Sequence, residues 1–363
     1  MEKVVKLYFS IFFLLVVFGM VMVFNIKMFK VPSAEAELWY QIRGLVVNFA
    51  FAGTAFIAAY LVNLSWLKNS SRFLVAFMIF LLGITLIIGA KRNGSVRWID
   101  LRFMMLQPSE FAKIVVVIYL SEVMTKKGER VQLLQDLITI VLVVVAIVAL
   151  IAVEDLGTSI IICGTATLML LLGGMRKKYL LYLSPLAVVA LAFLIFMPGK
   201  GYRIGRLQAF IDPCGIEYRD NIGLQQCRAQ VALSMGGSTG VGFGNSTEKV
   251  ANLPEAQTDF IFPIIGEEFG FIGSLILILI FMAMFGIGSY FVLHMQDTFN
   301  FYLVAGFVLM LVMQVLINLL VVSSFFPNKG VPLPFISYGG SALASYSIMV
   351  GLILNAVTSE SRR

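Results

Sequence analysis

Charge is scarce in this 363-residue chain: 13% of its residues are Asp, Glu, Lys or Arg, and there is one histidine. With that histidine and three cysteines, no Cys/His spacing matches a zinc site. A glycine-rich run at 236–244 lacks the Lys-Ser/Thr ending of a nucleotide P-loop, so it alone does not specify a phosphate site. So few charges could not solvate the surface of a soluble domain. What fills the chain instead is apolar: 60% hydrophobic residues and a mean hydropathy of +0.94. That balance excludes a soluble globular protein and points to one that crosses a membrane repeatedly.

The apolar runs are near 20 residues long, as helices require and barrel strands do not. Ten spans fit best, at about 7–24, 43–65, 73–90, 108–124, 137–153, 157–174, 179–197, 259–290, 301–325 and 336–357. The expected fold is therefore an all-α polytopic membrane protein with about ten transmembrane helices and one large loop, 198–258, between spans 7 and 8. The first run has no small-residue cleavage site behind it and reads as a retained helix. No separate soluble domain is expected, so 1–363 reads as one integral membrane domain. An even span number puts both termini on one side. Short segments on that side carry twelve basic residues against eight opposite, which places the termini in the cytoplasm and the large loop outside.

The outward basic residues are too many for topology alone. Lys91, Arg92, Arg97 and Arg102 share one loop, and Lys200, Arg203, Arg206, Arg219, Arg228 and Lys249 lie in the long one. A lipid phosphate or pyrophosphate would explain them, as would headgroup contact. Cys163 reads as a small core residue, Cys214 and Cys227 as a pair that could oxidise if the loop is extracytoplasmic, and His294 as solvated.

Four clusters carry chemistry. Gln107 to Lys113 begins a helix at Pro108, with Glu110 and Lys113 three apart on one face, either as a structural pair or as a cavity wall. Glu154-Asp155 makes a minimal acidic turn between spans, where either residue could cap a helix or position a substrate. The 236–244 run could be a lid or a phosphate cradle. Asp259 opens span 8, where an Asp can cap a helix. A carboxylate that persists at a membrane boundary is also a functional group by default, with a raised proton affinity. Glu267 and Glu268 follow it, and one of them is expected to face the same cavity. Pro327 to Gly340, with three prolines and three glycines, cannot be regular helix and reads as a re-entrant or surface loop.

QPSEFAK at 107–113, EDLGT at 154–158, LPEAQTDFIF at 253–262, GEEFG at 266–270 and GVPLPFISYGGS at 330–341 occur in an order that resembles the SEDS family of FtsW and RodA proteins. The resemblance runs from about the third span to the C-terminus. It implies a peptidoglycan glycosyltransferase that polymerises lipid II, an undecaprenyl-pyrophosphate-linked disaccharide peptide, outside the cytoplasmic membrane. It carries the essential aspartate onto Asp259. Glu110, Lys113 and Asp155 follow as substrate-binding residues, together with Ser337 in the last motif. Arg97 and Arg102 are the expected partners of the departing pyrophosphate, or else a divalent cation (Mg or Mn). The implied partners are a class B penicillin-binding protein transpeptidase, divisome or elongasome proteins and membrane lipids, with no nucleic acid. Gln257 stands where the family usually has histidine, Glu154 where proline is common, and Cys214–Cys227 looks like an insertion. LPEA, GEEFG and the Lys-Gly before the last motif lean towards FtsW, whereas VPLPF leans towards RodA. A lipid II flippase is the rival reading, and a scaffold without chemistry a third.

Overall fold

The structure, a computed structural model, describes residues 1–28, 35–92, 95–100, 105–195, 202–249 and 253–361. Its apolar runs are helical because a backbone removed from water must satisfy its own hydrogen bonds. In chain order the helices are α1 (Glu2–Met28), α2 (Glu35–Leu61), α3 (Leu64–Asn69), α4 (Ser71–Ile88), α5 (Pro108–Lys127), α6 (Leu134–Ala152), α7 (Leu156–Leu172), α8 (Lys178–Ile195), α9 (Tyr202–Ile211), α10 (Leu224–Met235), α11 (Ile261–Leu293), α12 (Thr298–Val322) and α13 (Gly340–Ser361). Ten of these have 17 residues or more, one for each expected span. Seven are long and apolar enough on those grounds alone to cross a membrane. α5 falls outside that set because it carries Glu110, Lys113, Glu122, Lys126 and Lys127, and α7 because it is short.

α12 and α13 form the centre, with 67% and 78% of their apolar stretches buried against 17–33% in the other five such helices. α13 packs on α2, and α12 on α5, α7 and α11. The outer helices turn large apolar side chains outward, including Phe73, Phe80, Leu142, Leu181 and Met282, as a lipid-facing surface requires. Cys163 is on that outer surface and is not a core residue; an apolar helix that borders lipid gives no sequence cue to which face turns inward. Cys214 and Cys227 are joined as a disulfide.

Two regions depart from a simple helix count. The segment after α4 forms a three-stranded antiparallel sheet, β1 (Ala90–Arg92), β2 (Ser95–Asp100) and β3 (Met105–Leu106), with Ala90 opposite Trp98 and Ile99 opposite Leu106. The expected basic loop thus contains β-strands, and β2 carries Arg97 to a fixed place. The long 198–258 loop contains α9 and α10.

α11 is broken at Gly270, where φ is 67° and ψ −167°. The glycine run supplies the backbone partners that the break leaves open. Val241 N donates to Glu267 O at 3.0 Å and Gly242 N to Glu268 O at 3.0 Å. Phe271 N donates to Gly237 O at 2.9 Å and Ile272 N to Ser238 O at 3.1 Å. Side chains lock the same splice. Glu267 accepts from the Ser246 hydroxyl at 2.5 Å and from Thr247 N at 2.7 Å. Glu268 accepts from Asn25 at 2.8 Å and pairs with Lys249 at 2.8 Å, with both Glu268 and Lys249 wholly enclosed. The 236–244 run is therefore a splice rather than a lid or phosphate cradle. Lys249 is a buried partner and not part of a basic outer surface. Neither acid joins Asp259, because both are spent on holding the loop to α1 and α11.

A Cβ on Gly270 would stand 2.3 Å from Gly240 N, while Gly286, further along α11, has nothing within 4 Å. Gly270→Ala is expected to destabilise the protein by about 2 kcal/mol or more through positive φ and overlap. Gly286→Ala should leave the unfolding temperature in detergent unchanged or raise it. Equal unfolding temperatures for the two variants would contradict the splice.

Candidate functional site

The site is assembled at the end of the bundle where β2, the starts of α5 and α7 and the segment before α11 meet. α7 begins directly after α6, and Asp155 caps it by accepting from Thr158 N at 3.0 Å and from the Thr158 hydroxyl at 3.0 Å. The same carboxylate takes a bond from Gln107 Nε2 at 3.1 Å and an ion pair from Arg97 at 3.2 Å. Capping and positioning coexist here, since a carboxylate has enough lone pairs for both. Glu154 accepts from Val96 N at 3.1 Å, which ties the acidic turn to β2.

One turn into α5 lies a second polar layer. Lys113 Nζ is 2.7 Å from Glu110 and 3.3 Å from Gln314 Oε1, and it stands over the Tyr346 ring at 4.8 Å from the centroid. Ser345 donates to Glu110 at 3.2 Å. Glu110 and Lys113 are both buried, at 2% and 0% exposure. The pair is thus structural in geometry while forming the floor beneath the Arg97 cluster.

Asp259 stands above this floor. α11 starts one residue later than an Asp259 cap would require. Its N-cap is Phe260, which makes no side-chain cap bond, so Asp259 is not the helix cap. Its backbone is fixed instead: Asn318 of α12 donates to Asp259 O at 2.9 Å and to Val331 O at 2.7 Å. Gln314, one turn earlier on the same face, donates to Pro332 O at 3.1 Å. These two amides staple the irregular segment between α12 and α13 to the site. That segment is buried at Val331, Leu333, Phe335 and Ile336, as non-helical backbone at membrane depth must be. Gly330 passes so close that a Cβ there would stand 2.7 Å from Asp259 Oδ2, with Arg97 Nη2 at 3.8 Å. Ser337 donates to Thr258 O at 2.5 Å and accepts from Leu333 N at 2.8 Å. Its hydroxyl is committed to the backbone, so it braces the Asp259 segment and is not placed as a substrate contact.

Five ionisable groups share this corner. Among the described residues, Arg97 and Lys113 give +2, against −3 from Glu110, Asp155 and Asp259, the carboxylates that act on Arg97, so this set carries −1 when all are ionised. Burial pushes the Asp259 carboxyl up to about 7, against the lowering effect of Arg97 and with Glu255, Asp155 and Glu110 adding to the rise. Burial works to lower the Arg97 proton affinity, but the carboxylates of Asp155, Asp259 and Glu110 outweigh it and raise it.

The structure thus brings together Arg97, Glu110, Lys113, Asp155 and Asp259. Arg102 lies outside the described residues. Of the other expected basic positions, Arg228 pairs with Glu248 and Arg219 with Asp220. His294 caps the end of α11, exposed and against Tyr290. Gln314, Asn318 and Gly330 are functional neighbours that sequence reasoning missed. The available signal was a pair of amides four apart inside an otherwise apolar helix. Among the described residues no three of His, Cys, Asp or Glu converge to hold a metal.

Glu110→Ala would strand the Lys113 ammonium in the interior. Loss of one partner of a buried pair costs about 3–5 kcal/mol, so a marked fall in unfolding temperature is expected. Normal thermal stability in that variant would argue against the pair.

The chain has clear relatives. The FTSW_RODA_SPOVE family model, described as a cell cycle protein, matches residues 5–362. A probable peptidoglycan glycosyltransferase FtsW of Geobacter metallireducens is 32% identical over 345 residues, covering 94% of this chain and 91% of that one. One of the same description from Trichlorobacter lovleyi is 35% identical over 271 residues, covering 74% and 70%. A chain from a peptidoglycan synthase complex that coordinates polymerization and crosslinking has the same fold, with a TM-score of 0.79, 23% identity and 98% of both chains covered. The ordered motifs, the helical membrane fold and this match across nearly the whole length establish that the chain belongs to the FtsW/RodA/SpoVE family.

Proposed function

We propose that this membrane protein is a peptidoglycan glycosyltransferase of the FtsW type, with Asp259 as the base that starts the transfer. The observation that carries the reading is a carboxylate held near neutral proton affinity beside Arg97, at the end of the bundle where the family motifs converge. Relatives at 32–35% identity bear the glycosyltransferase name.

The donor and acceptor are lipid-linked disaccharides of the lipid II class. Asp259 takes the proton of the acceptor sugar's 4-hydroxyl as that oxygen attacks the donor's anomeric carbon. The new carbon–oxygen bond forms as the bond to the phosphate oxygen breaks, and the polyprenyl diphosphate leaves with its electron pair. Asp155, itself held by Gln107, orients Arg97, and Arg97 favours the ionised form of Asp259. Glu110 and Lys113 hold the floor rigid. Asp155 and Asp259 are the carboxylates that would hold a Mg²⁺ or Mn²⁺ ion, and such an ion would supply charge neutralisation for the departing diphosphate. An apolar cleft of about 320 Å³, lined by Ala55, Leu67, Phe111, Ile118 and Leu352 among others, offers a path for a lipid chain. The termini are cytoplasmic and the 198–258 loop is outside, in keeping with the bias of basic residues. A class B penicillin-binding protein is the expected partner, which the fold shared with a synthase-complex subunit supports.

Asp259→Asn keeps size and removes basicity, and glycan synthesis from lipid II by the purified protein should be nearly abolished. Wild-type glycan yield from that variant would refute the base. Wild-type kcat should rise with pH through about 7 as the carboxyl ionises. The stability sign is opposite. The folded carboxyl binds its proton more tightly than the unfolded one, so the ionised group destabilises the fold as pH rises towards 7. Asp259→Asn should therefore raise the unfolding temperature at pH 8 more than at pH 4.

Gly330→Ala tests the geometry. Its methyl group displaces the carboxylate, so kcat should fall about tenfold or more while the fold persists. Undiminished kcat would mean that the close approach is incidental.

A further inference from the structure

Lys27 lies in the last turn of α1 and is only 8% exposed. It makes no ion pair with any described carboxylate, unlike Lys113 and Lys249, whose charges are each matched by a glutamate. Its Nζ stands 3.6 Å from the centroid of the Tyr338 ring. Its ammonium is not among the fully enclosed, unpartnered polar atoms, so it keeps some accessible surface. A cation–π contact offsets part of the desolvation of a cation but leaves its three donors unmade. Burying a charge without a counter-charge is unfavourable, so the arrangement calls for an anion.

Tyr338 supplies a second donor. Its hydroxyl makes no hydrogen bond among the described residues, and Gly44 of α2 leaves room beside it: a Cβ on Gly44 would stand 3.6 Å from that oxygen. Tyr338 is also tied to the catalytic segment, because its backbone N–H donates to Gln257 O at 2.8 Å, two residues before Asp259. Its neighbour Ser337 bonds Thr258 O. The Lys27–Tyr338 position therefore flanks the Asp259 corner.

Charge decides what can bind where. The corner itself carries −1 with Asp259 ionised, and Arg97 is already shared between Asp155 and Asp259. A diphosphate is repelled there unless its charge is met at the edge. Lys27 is a cation beside this corner whose charge no described carboxylate takes up.

We propose that Lys27 and Tyr338 form a binding position for the phosphate oxygens of a polyprenyl diphosphate, with the ammonium and the phenol as paired donors. This rests on the glycosyltransferase reading for the identity of the lipid. The same donors would also suit the phosphate of an ordinary anionic phospholipid, and the two sources are separable.

The test titrates undecaprenyl diphosphate, and separately phosphatidylglycerol, into the full-length protein in phosphatidylcholine nanodiscs, for wild type, Lys27→Met and Lys27→Arg. Lys27→Met keeps an apolar stem against the Tyr338 ring, so its unfolding temperature should match wild type. Its affinity for undecaprenyl diphosphate should fall about tenfold, as expected for loss of one charge-assisted contact, with phosphatidylglycerol binding unchanged. Lys27→Arg should keep most of the affinity. In turnover with lipid II, Lys27→Met should raise KM and leave kcat within about twofold, as loss of uniform binding does. Unchanged diphosphate affinity in Lys27→Met overturns the proposal. So does an equal loss for phosphatidylglycerol, or a loss in Lys27→Arg as large as in Lys27→Met. If wild type binds the diphosphate through Lys27 but makes no glycan, the enzyme reading fails and the site stands. If wild type polymerises and Lys27→Met binds normally, only the site falls.

Discussion

Everything at this end of the molecule depends on one shortage of positive charge. Among the described residues, three carboxylates act on Arg97, with Lys113 the one further cation paired to any of them, and Arg97 has to serve Asp155 and Asp259 together. Asp155 takes the ion pair and is further satisfied by Thr158 and Gln107. Asp259 receives no hydrogen bond on its carboxylate among the described residues and keeps only the field of Arg97. One acid is therefore tied into the frame by an ion pair and hydrogen bonds, and the other is left with a proton affinity near 7.

Such a poised group needs a rigid frame, and the frame is built from backbone that is not helical. The segment from Ser324 to Gly339 is wedged among α1, α12, α13 and the start of α11. Asn318 and Gln314 bond its carbonyls from one side. On the other side Gly19 of α1 lets it approach, since a Cβ at Gly19 would stand 2.5 Å from the Ile336 Cα. Phe335, at φ 66°, holds a conformation that residues other than glycine seldom adopt. The second frame is the splice at Gly270, where the 236–244 run completes the broken helix and Glu267 and Glu268 hold the loop.

Local signals in the sequence were enough for what local chemistry determines. Glu110 and Lys113 share a face by spacing alone, Pro108 starts its helix, and the three prolines of 327–340 forbid regular helix. The acids that met across long distances were not legible in the same way. One of Glu267 and Glu268 reads as a cavity acid, but their partners are Ser246, Lys249 and Asn25, the last 243 residues from Glu268. Periodicity tells which face a residue shares, not which segment will meet it. Asn318 and Gln314 are hidden for a related reason, since their partners are carbonyls of a segment that only the fold brings beside α12. Asp259 is legible as a carboxylate at a membrane boundary, and the helix begins one residue beyond the start that its capping role needs.

The central claim is that Asp259 is a proton acceptor whose affinity is set by burial against Arg97. Infrared or ¹³C NMR titration of the labelled Asp259 carboxyl in the membrane-embedded protein tests this directly. In wild type it should titrate near 7, and in Arg97→Gln, which removes the one cation that lowers it, the midpoint should move up. A wild-type midpoint near the ordinary aspartate value of about 4, or one that Arg97→Gln leaves in place, would contradict the account.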